Sequence, residues 1–482
     1  MWHDRINMKK ALTFFTLIIF FAGAGCSQQS GKDYQTLKYP KLGDIEIPDI
    51  ERVTLANGMQ LMLLEDHELP LISASAMIRT GSAYEPADKI GLADITGTVM
   101  RTGGTTSKTG DQIDEELEQI AASVRTGIDV DAGYASMSVL KEDVDTALAI
   151  LADVLMNPAF PEDKIELAKI QQRSSINRRN DEMTQIASRE YRKLIYGPDS
   201  VYARHTEYAT IDNITRDDLV AFHKKYYHPN NMIMAVWGDF ETKEMVKRIE
   251  EAFKGWEKAD VKLEPMPEVT YDFRPSVNVV SKEDVHQSCI YMGHVGGLMS
   301  DPDYYPLILM NQILGSGFTS RLFKNVRSRE GLAYSVSGSY GSGYDRPGVF
   351  AVRCQTKSES TVHAIRAMTE EVKKMTEEEV TDEEMNLAKE RFLNTFVFNF
   401  ASKGQIIQRL LTYEYFGYPA DFLQKTKANV EKVTKADVLR VAREHLRPDK
   451  MQILAVGRPE DFDQPLSVLG PVHEIDITIP SP

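Results

Sequence analysis

Asp94, Gly97 and Thr98 lie in GLADITGTVMRTGGT (91–105), a short helical stretch after two β-like runs. Residues four apart on a helix share a face, so positions 94 and 98 point the same way with 97 beside them. That spacing lets a helix offer two side chains to one metal ion and a third to its bound water. The residues present supply one carboxylate, no side chain and one hydroxyl. A tight zinc site takes three or four nitrogen, sulfur or carboxylate ligands, so this set does not make one. Histidines elsewhere do not repair it. His223 and His228 are five residues apart at a helix end and do not share a face; His286 and His294 fall in a strand region and His67 in a turn. Each reads as a surface or locally satisfied imidazole.

A second constellation is VRSREGLAYSV, which sets Arg327 and Tyr334 seven residues apart. The stretch 319–330 reads as a helix ended by Gly331, with a strand starting near Ala333. Arg327 would leave the last helical turn and Tyr334 the start of the strand. A guanidinium and a phenol can stabilise a developing oxyanion or hold a peptide backbone. Taken alone, an Arg at a helix C-terminus is explained by the dipole and a strand Tyr by packing. Gly315-Ser316-Gly317 and the Gly- and Ser-rich run 338–343 lack the lysine and the strand-to-helix spacing of a phosphate loop, and read as flexible backbone near a groove or as turns.

The elements that must position these residues read as α+β. Strands are expected at 59–65, 71–79, 124–131 and 133–140, and helices at 90–101, 110–122, 144–156, 162–179 and 184–196. Strands joined by short connections with helices grouped after them imply mixed or antiparallel sheets covered by helices. The chain also repeats itself. ITRDDLVAFHKKYYHPNNMIMAVWG, starting at Ile214, aligns without a gap on VTKADVLRVAREHLRPDKMQILAVG, starting at Val433: Thr215 meets Thr434, Asp218 meets Asp437, Pro229 meets Pro448 and Gly238 meets Gly457. Thr-x-x-Asp starts a helix, the proline stops it and the apolar run before Gly is a strand, so equal spacing of all four signals implies duplication. The halves are expected at 47–256 and 276–462, with a Pro- and charge-rich linker at 257–275 and a C-terminal tail at 463–482.

With 482 residues, 42% hydrophobic and 26% charged, the chain is long enough for two cores. A net charge of −15 without a basic cluster argues against a nucleic-acid partner. The N-terminus reads as an export signal over 1–26, beginning at Met1 or Met8: Lys9 and Lys10, an apolar stretch to Ala22, then small residues before Cys26. Small residues directly before a cysteine resemble a bacterial lipobox, so Cys26 is expected to carry lipid and 27–46 to form a tether. Ser27 after it resembles the signal for sorting to the outer membrane, facing the periplasm. Cys289 and Cys354 lie in β-like runs and read as buried free thiols.

The sequence resembles the pitrilysin/insulinase family of zinc peptidases from about 47 to 462. The resemblance is carried by NGMQLMLLEDHELPLISASAMIRTGSAYEP with GLADITG, PAFPEDKIE, YGPDSVYARHTEYATIDNITRDDLVAFHKKYYHPNNM and LGSGFTSRLFKNVRSREGLAYSV, all in order. It implies a clam-like pair of halves enclosing a peptide-cleaving chamber, and the inverted motif H-x-x-E-H on the GLADITG helix. Asp94 would then stand at the first ligand, Gly97 at the base and Thr98 at the second ligand, and Ser174 and Ser175 where a further glutamate ligand is expected. The resemblance also implies pairing with a zinc-bearing homologue, to whose site this chain would contribute Arg327 and Tyr334. The expected function is therefore the non-catalytic subunit of a heteromeric zinc metalloendopeptidase, with no cofactor on this chain. The alternative is a peptide-binding or scaffold lipoprotein without a proteolytic role.

Overall fold

The computed structural model describes residues 47–480. The expected signal segment, the lipidated Cys26 and the tether lie outside them. In the first half, β1 (Glu51–Thr54), β2 (Gln60–Glu65) and β3 (Leu71–Ile78) precede α1 (Leu92–Thr102) and α2 (Gly110–Gln119). Then come β4 (Ser123–Ile128), β5 (Gly133–Leu140), α3 (Val144–Met156), α4 (Glu162–Arg178), α5 (Met183–Tyr196), α6 (Tyr208–Asp212), α7 (Arg216–Tyr226), β6 (Met232–Gly238) and α8 (Thr242–Ala252). Residues 257–275 carry neither helix nor strand.

The second half runs β7 (Ser276–Ser281), β8 (Gln287–Val295), β9 (Gly297–Leu298), α9 (Tyr304–Leu314), a π-helix (Phe323–Arg329), β10 (Ala333–Tyr340), β11 (Ser342–Gly343) and β12 (Val349–Lys357). It ends with α10 (Thr361–Glu377), α11 (Asp382–Phe396), α12 (Lys403–Phe416), α13 (Phe422–Lys432), α14 (Lys435–His445), β13 (Gln452–Gly457) and β14 (Val472–Glu474). The fold is α+β in two homologous halves, as expected.

Each half builds one six-stranded mixed sheet, in the orders β1-β2-β6-β3-β5-β4 and β10-β12-β8-β13-β7-β14. Read from opposite ends these are one topology. The repeated strands β6 and β13 occupy equivalent places, each parallel to one neighbour (β2, β7) and antiparallel to the other (β3, β8). Only the edge differs: β1 pairs antiparallel with β2, whereas β14 pairs parallel with β7. The segment read as a tail therefore completes the second sheet, and Leu466 within it is buried. A length of only three residues and the charged Glu474 gave β14 a weak strand signal. The aligned punctuation forms as read, since Thr215 with Asp218 and Thr434 with Asp437 each make a capping box at the helix start.

The strand MIMAVWG of β6 is buried on both faces. One face belongs to its own half's core; the other is covered by α12 of the second half. Ile406, Ile407, Leu410 and Leu411 pack there on Met62, Leu64, Met77, Ile233 and Ala235. The converse also holds. On α5 of the first half, Ile186, Ala187, Tyr191 and Ile195 pack on Val280, Cys289, Tyr291, Leu454 and Val456 of the second sheet. The two helices have equal length and stand 220 residues apart, so the duplicated helix is exchanged reciprocally. Hydrogen bonds fix both: Tyr191 Oη donates to Phe350 O at 3.1 Å, and Tyr415 Oη to Asp131 O at 2.7 Å. Arg79 stacks on the Tyr415 ring and donates to its carbonyl at 3.0 Å.

Cys289 and Cys354 are free and buried, on adjacent β8 and β12 but in different cores. The register sets Cys354 opposite Ile290 and Cys289 opposite Gln355, so the thiols face opposite sides of the sheet.

Candidate functional site

Helix α1 starts at Gly91, whose φ of 107° favours glycine, and is driven inward by Leu92, Ala93, Ile95, Val99 and Met100. Its free N-terminal amides are met by Glu85, 5% exposed, whose Oε2 accepts from Ala93 N at 2.9 Å. Burial pushes Glu85 up to about 7 against the pull of these amides. Arg204 donates through Nη2 to the carbonyls of Ser82 and Glu85 at 2.8 and 2.7 Å, tying the approach to the helix.

At the first ligand position the Asp94 carboxylate accepts a hydrogen bond from the Gln172 amide on α4. The base position is closed. A Cβ on Gly97 would stand 2.7 Å from Ile128 N and 2.8 Å from Gly127 C, and the Gly97 carbonyl accepts from Thr126 Oγ1 at 2.6 Å. Strand β4 therefore lies directly on the helix where a base side chain would project. Thr98 is half-buried; Ser174 is exposed, and Ser175 Oγ donates back to Gln171 O at 3.1 Å. These residues do not fit zinc: one carboxylate engaged by an amide and three hydroxyls are not its donor set.

Beside α1 is a cavity of about 640 Å³ lined by Glu85, Asp94, Gln172, Arg189, Arg192 and Arg204 among others, all from the first half. Glu85, Gln172 and Arg204 were not singled out from sequence. Glu85 stands seven residues before Leu92, outside the first turn where an acid is a readable signal. Gln172 and Arg204 gave none, because their partners are distant in the chain.

Arg327 and Tyr334 flank one turn of the second half, as expected, but the helix preceding it is wound differently. The expected helix over 319–330 is a π-helix at Phe323–Arg329, with Glu330 N bonded to Asn325 O at 3.1 Å, and Gly331 (φ 68°) ends it. Such helices are rare and concentrate at functional sites. Val326 anchors the turn in the core and Asn325 donates to Glu371 at 2.8 Å. Arg327 lies over the Phe323 ring, 4.7 Å from its centroid. Tyr334 is 75% exposed on edge strand β10, at a register shift between Ala333 and Ser335. Among the described residues neither side chain makes a hydrogen bond or ion pair, and no such bond joins them to each other or to the cavity at α1.

The glycine runs have a packing explanation. A Cβ on Gly315 would meet Gly338 N at 2.2 Å, and Gly338 N donates to Gly315 O at 3.3 Å, so the two runs permit one close approach. The following loop docks on the first half: Arg346 pairs with Asp131 and stacks 4.5 Å over Tyr202. Of the five histidines weighed from sequence, His286 is exposed and the other four are locally satisfied. His223 Nε2 lies 2.8 Å from Leu155 O, His228 Nε2 2.9 Å from Lys224 O, His294 Nδ1 2.7 Å from Val295 O and His67 Nδ1 2.6 Å from Asp239. Burial holds His223 and His294 down at about 4. Asp303 with Asp301 and His445 has cation-binding spacing, but Asp303 is already engaged by Arg440 at 2.6 Å and His445 at 2.9 Å.

Residues 61–198 match the family model described as Insulinase (Peptidase family M16), and 213–392 match that of the Peptidase M16 inactive domain. A Rickettsia felis protein named an uncharacterized zinc protease is 28% identical over 343 residues, 70% of this chain and 80% of that one. The Helicobacter pylori non-peptidase homolog YmxG is 25% identical over 378 residues, 78% and 86% of the two chains. A crystal structure titled as a peptidase M16 inactive domain from Pseudomonas fluorescens shares the fold at a TM-score of 0.76 and 24% identity, covering 85% of this chain and 98% of that one. The chain belongs to the insulinase/pitrilysin-like M16 peptidase family, and its helix α1 carries Asp94, Gly97 and Thr98 at the positions where H-x-x-E-H is expected.

Proposed function

We propose that this chain is the non-catalytic subunit of a heteromeric zinc metalloendopeptidase. It binds peptide in a chamber shared with a zinc-bearing homologous subunit and supplies Arg327 and Tyr334 to that subunit's active site. Lipid on Cys26 holds it at the outer membrane, facing the periplasm. The observation carrying this reading is the contrast between two places: β4 closes over Gly97 on the helix where the metal motif is expected, while the Arg327 guanidinium, held only by the Phe323 ring, and the exposed Tyr334 phenol make no hydrogen bond or ion pair among the described residues. The name of the H. pylori relative, a non-peptidase homolog, agrees with the first part. A guanidinium and a phenol whose N–H and O–H donors are unspent can be offered to a carbonyl polarised by a metal elsewhere.

The test is co-expression with a homologue bearing an intact H-x-x-E-H, followed by zinc analysis and cleavage of a mixed peptide pool. Zinc is expected on the partner alone and cleavage only from the pair. Arg327→Ala or Tyr334→Phe is expected to lower kcat by about a hundredfold, the usual effect of losing one oxyanion donor. Peptide binding without any cleavage by the pair would instead support a scaffold lipoprotein. Incorporation of a labelled fatty acid, abolished by Cys26→Ala, tests the anchor.

A further inference from the structure

The first half holds another cavity, of about 400 Å³, between the end of α3, the end of α7 and the residues after α8; its walls include Phe160, His223, Tyr227 and Trp256. These rings are fixed. His223 lies flat on Tyr227 at 4.9 Å and 17°, Phe160 meets His223 edge-on at 5.9 Å and 68°, and Trp256 stacks on Phe253 at 5.6 Å and 22°. Phe160 has a left-handed backbone, φ 48°, which a bulky residue adopts only under constraint. Arg216 of α7 supplies the constraint, donating Nε to Phe160 O and Nη2 to Ala159 O, both at 2.9 Å. Strain of that kind collects at ligand sites. Two polar atoms in these walls are unspent. His223 Nε2 donates to Leu155 O at 2.8 Å, so Nδ1 carries a lone pair and no proton, and burial, which holds the imidazole down at about 4, keeps it so at neutral pH. Among the described residues Nδ1 accepts no hydrogen bond and the Trp256 indole N–H donates none, although the two residues are only 8% and 9% exposed. Polar atoms left unpaired in apolar walls cost stability until partners arrive, and an aromatic cavity of this size with a few placed polar atoms has the form of a small-ligand site.

We propose that this cavity binds a phenol, its ring among Phe160, Tyr227 and Trp256, its hydroxyl donating to His223 Nδ1 and accepting from the Trp256 indole N–H. The two unspent atoms select the ligand. An ammonium could donate to Nδ1 but not accept from the indole, a carboxylate could accept from the indole but not donate to Nδ1, and a hydrocarbon ring would leave both unpaired. A hydroxyl donates one hydrogen and accepts on the same oxygen, so it answers both. None of these residues lines the cavity at α1 or belongs to the turn bearing Arg327 and Tyr334, so the inference does not rest on the reading above.

The experiment titrates the full mature chain with p-cresol, p-methylanisole and toluene, reading binding by calorimetry and by NMR of isotope-labelled histidine. p-Cresol should bind about tenfold tighter than p-methylanisole, which accepts but cannot donate. Toluene should bind most weakly. The His223 Nδ1 resonance should move on saturation with p-cresol and stay in place with toluene. Trp256→Phe keeps a ring without the N–H, and should weaken p-cresol and p-methylanisole severalfold while leaving toluene unchanged. His223→Phe should abolish the preference for p-cresol over p-methylanisole; if that variant does not fold, the Nδ1 resonance of the wild type carries the same test. N-acetyltyrosine amide separates the two sources of a phenol. Binding at least as tight as that of p-cresol assigns the cavity to a tyrosine side chain of a peptide, and its exclusion while p-cresol binds assigns it to a free phenolic molecule. Equal binding of p-cresol and toluene, an unmoved Nδ1 resonance at saturation, an unaffected Trp256→Phe variant, or no binding at millimolar concentration would overturn the proposal.

Discussion

The amide nitrogen of Ile128 stands 2.7 Å from the point that a Cβ on Gly97 would occupy. A strand backbone thus fills the space that the base of a metallopeptidase helix would need. A side chain at this position would therefore meet a packing obstacle, whatever its chemistry. Gly97→Glu should lower stability by about 2 kcal/mol, typical of overpacking, seen as a drop in Tm of a few degrees. The combined change Asp94→His, Gly97→Glu, Thr98→His and Ser175→Glu should be less stable still and hold no stoichiometric zinc by metal analysis. Tight zinc in that variant would show that β4 gives way.

The exchanged helix α12 ties the first half's stability to a residue of the second. Ile407 is fully buried against the first sheet. Ile407→Ala should cost about 2–5 kcal/mol, and hydrogen exchange should speed up in β2 and β6, far from it in sequence. Faster exchange confined to the second half would contradict that coupling.

Glu85 gives stability a pH dependence of known sign. Its ordinary value is 4.5 and burial pushes it up to about 7. Between those values the folded chain keeps a proton that the unfolded chain releases, so this group's contribution to stability falls as pH rises through the window. Glu85→Gln retains an acceptor for Ala93 N without the charge. Relative to the variant, the wild type should lose stability from pH 4.5 to 7, by at most about 3 kcal/mol, and no more above it. Urea titrations of both proteins across that range check the slope. His223 and His294, held at about 4, pull the other way as pH falls from 6.5, in both proteins alike.

The two buried thiols should be inert. Burial pushes Cys289 and Cys354 up to about 12, and their side chains face opposite sides of the sheet. Neither should react with a thiol reagent in the native mature chain at pH 8, and both should react in denaturant without prior reduction. A disulfide found by mass spectrometry would require the β8–β12 register to be different.

Much of this was legible in the residues. The Thr-x-x-Asp caps, prolines and terminal glycines of the two repeats fixed helix starts and strand ends because those signals act locally. That GLADITG brings no imidazole to its helix, and that His67, His223, His228 and His294 find local partners, followed from residue type and spacing. What was hidden depends on long-range geometry. Periodic apolar residues on α5 and α12 announce a buried face but not which sheet buries it. Gln172 meets Asp94 across 78 residues of chain, and nothing in KNVRSRE distinguishes i→i+5 winding from an ordinary turn. The close approach of Gly97 to β4 was unreadable because glycine in a helix otherwise signals only a weak former.

The crossing of α5 and α12 also decides how this molecule can come apart. A protease nicking the strandless stretch 257–275 would not liberate two domains, because each fragment keeps the other's roof. Such a nicked molecule should persist as an interlocked pair and melt as one.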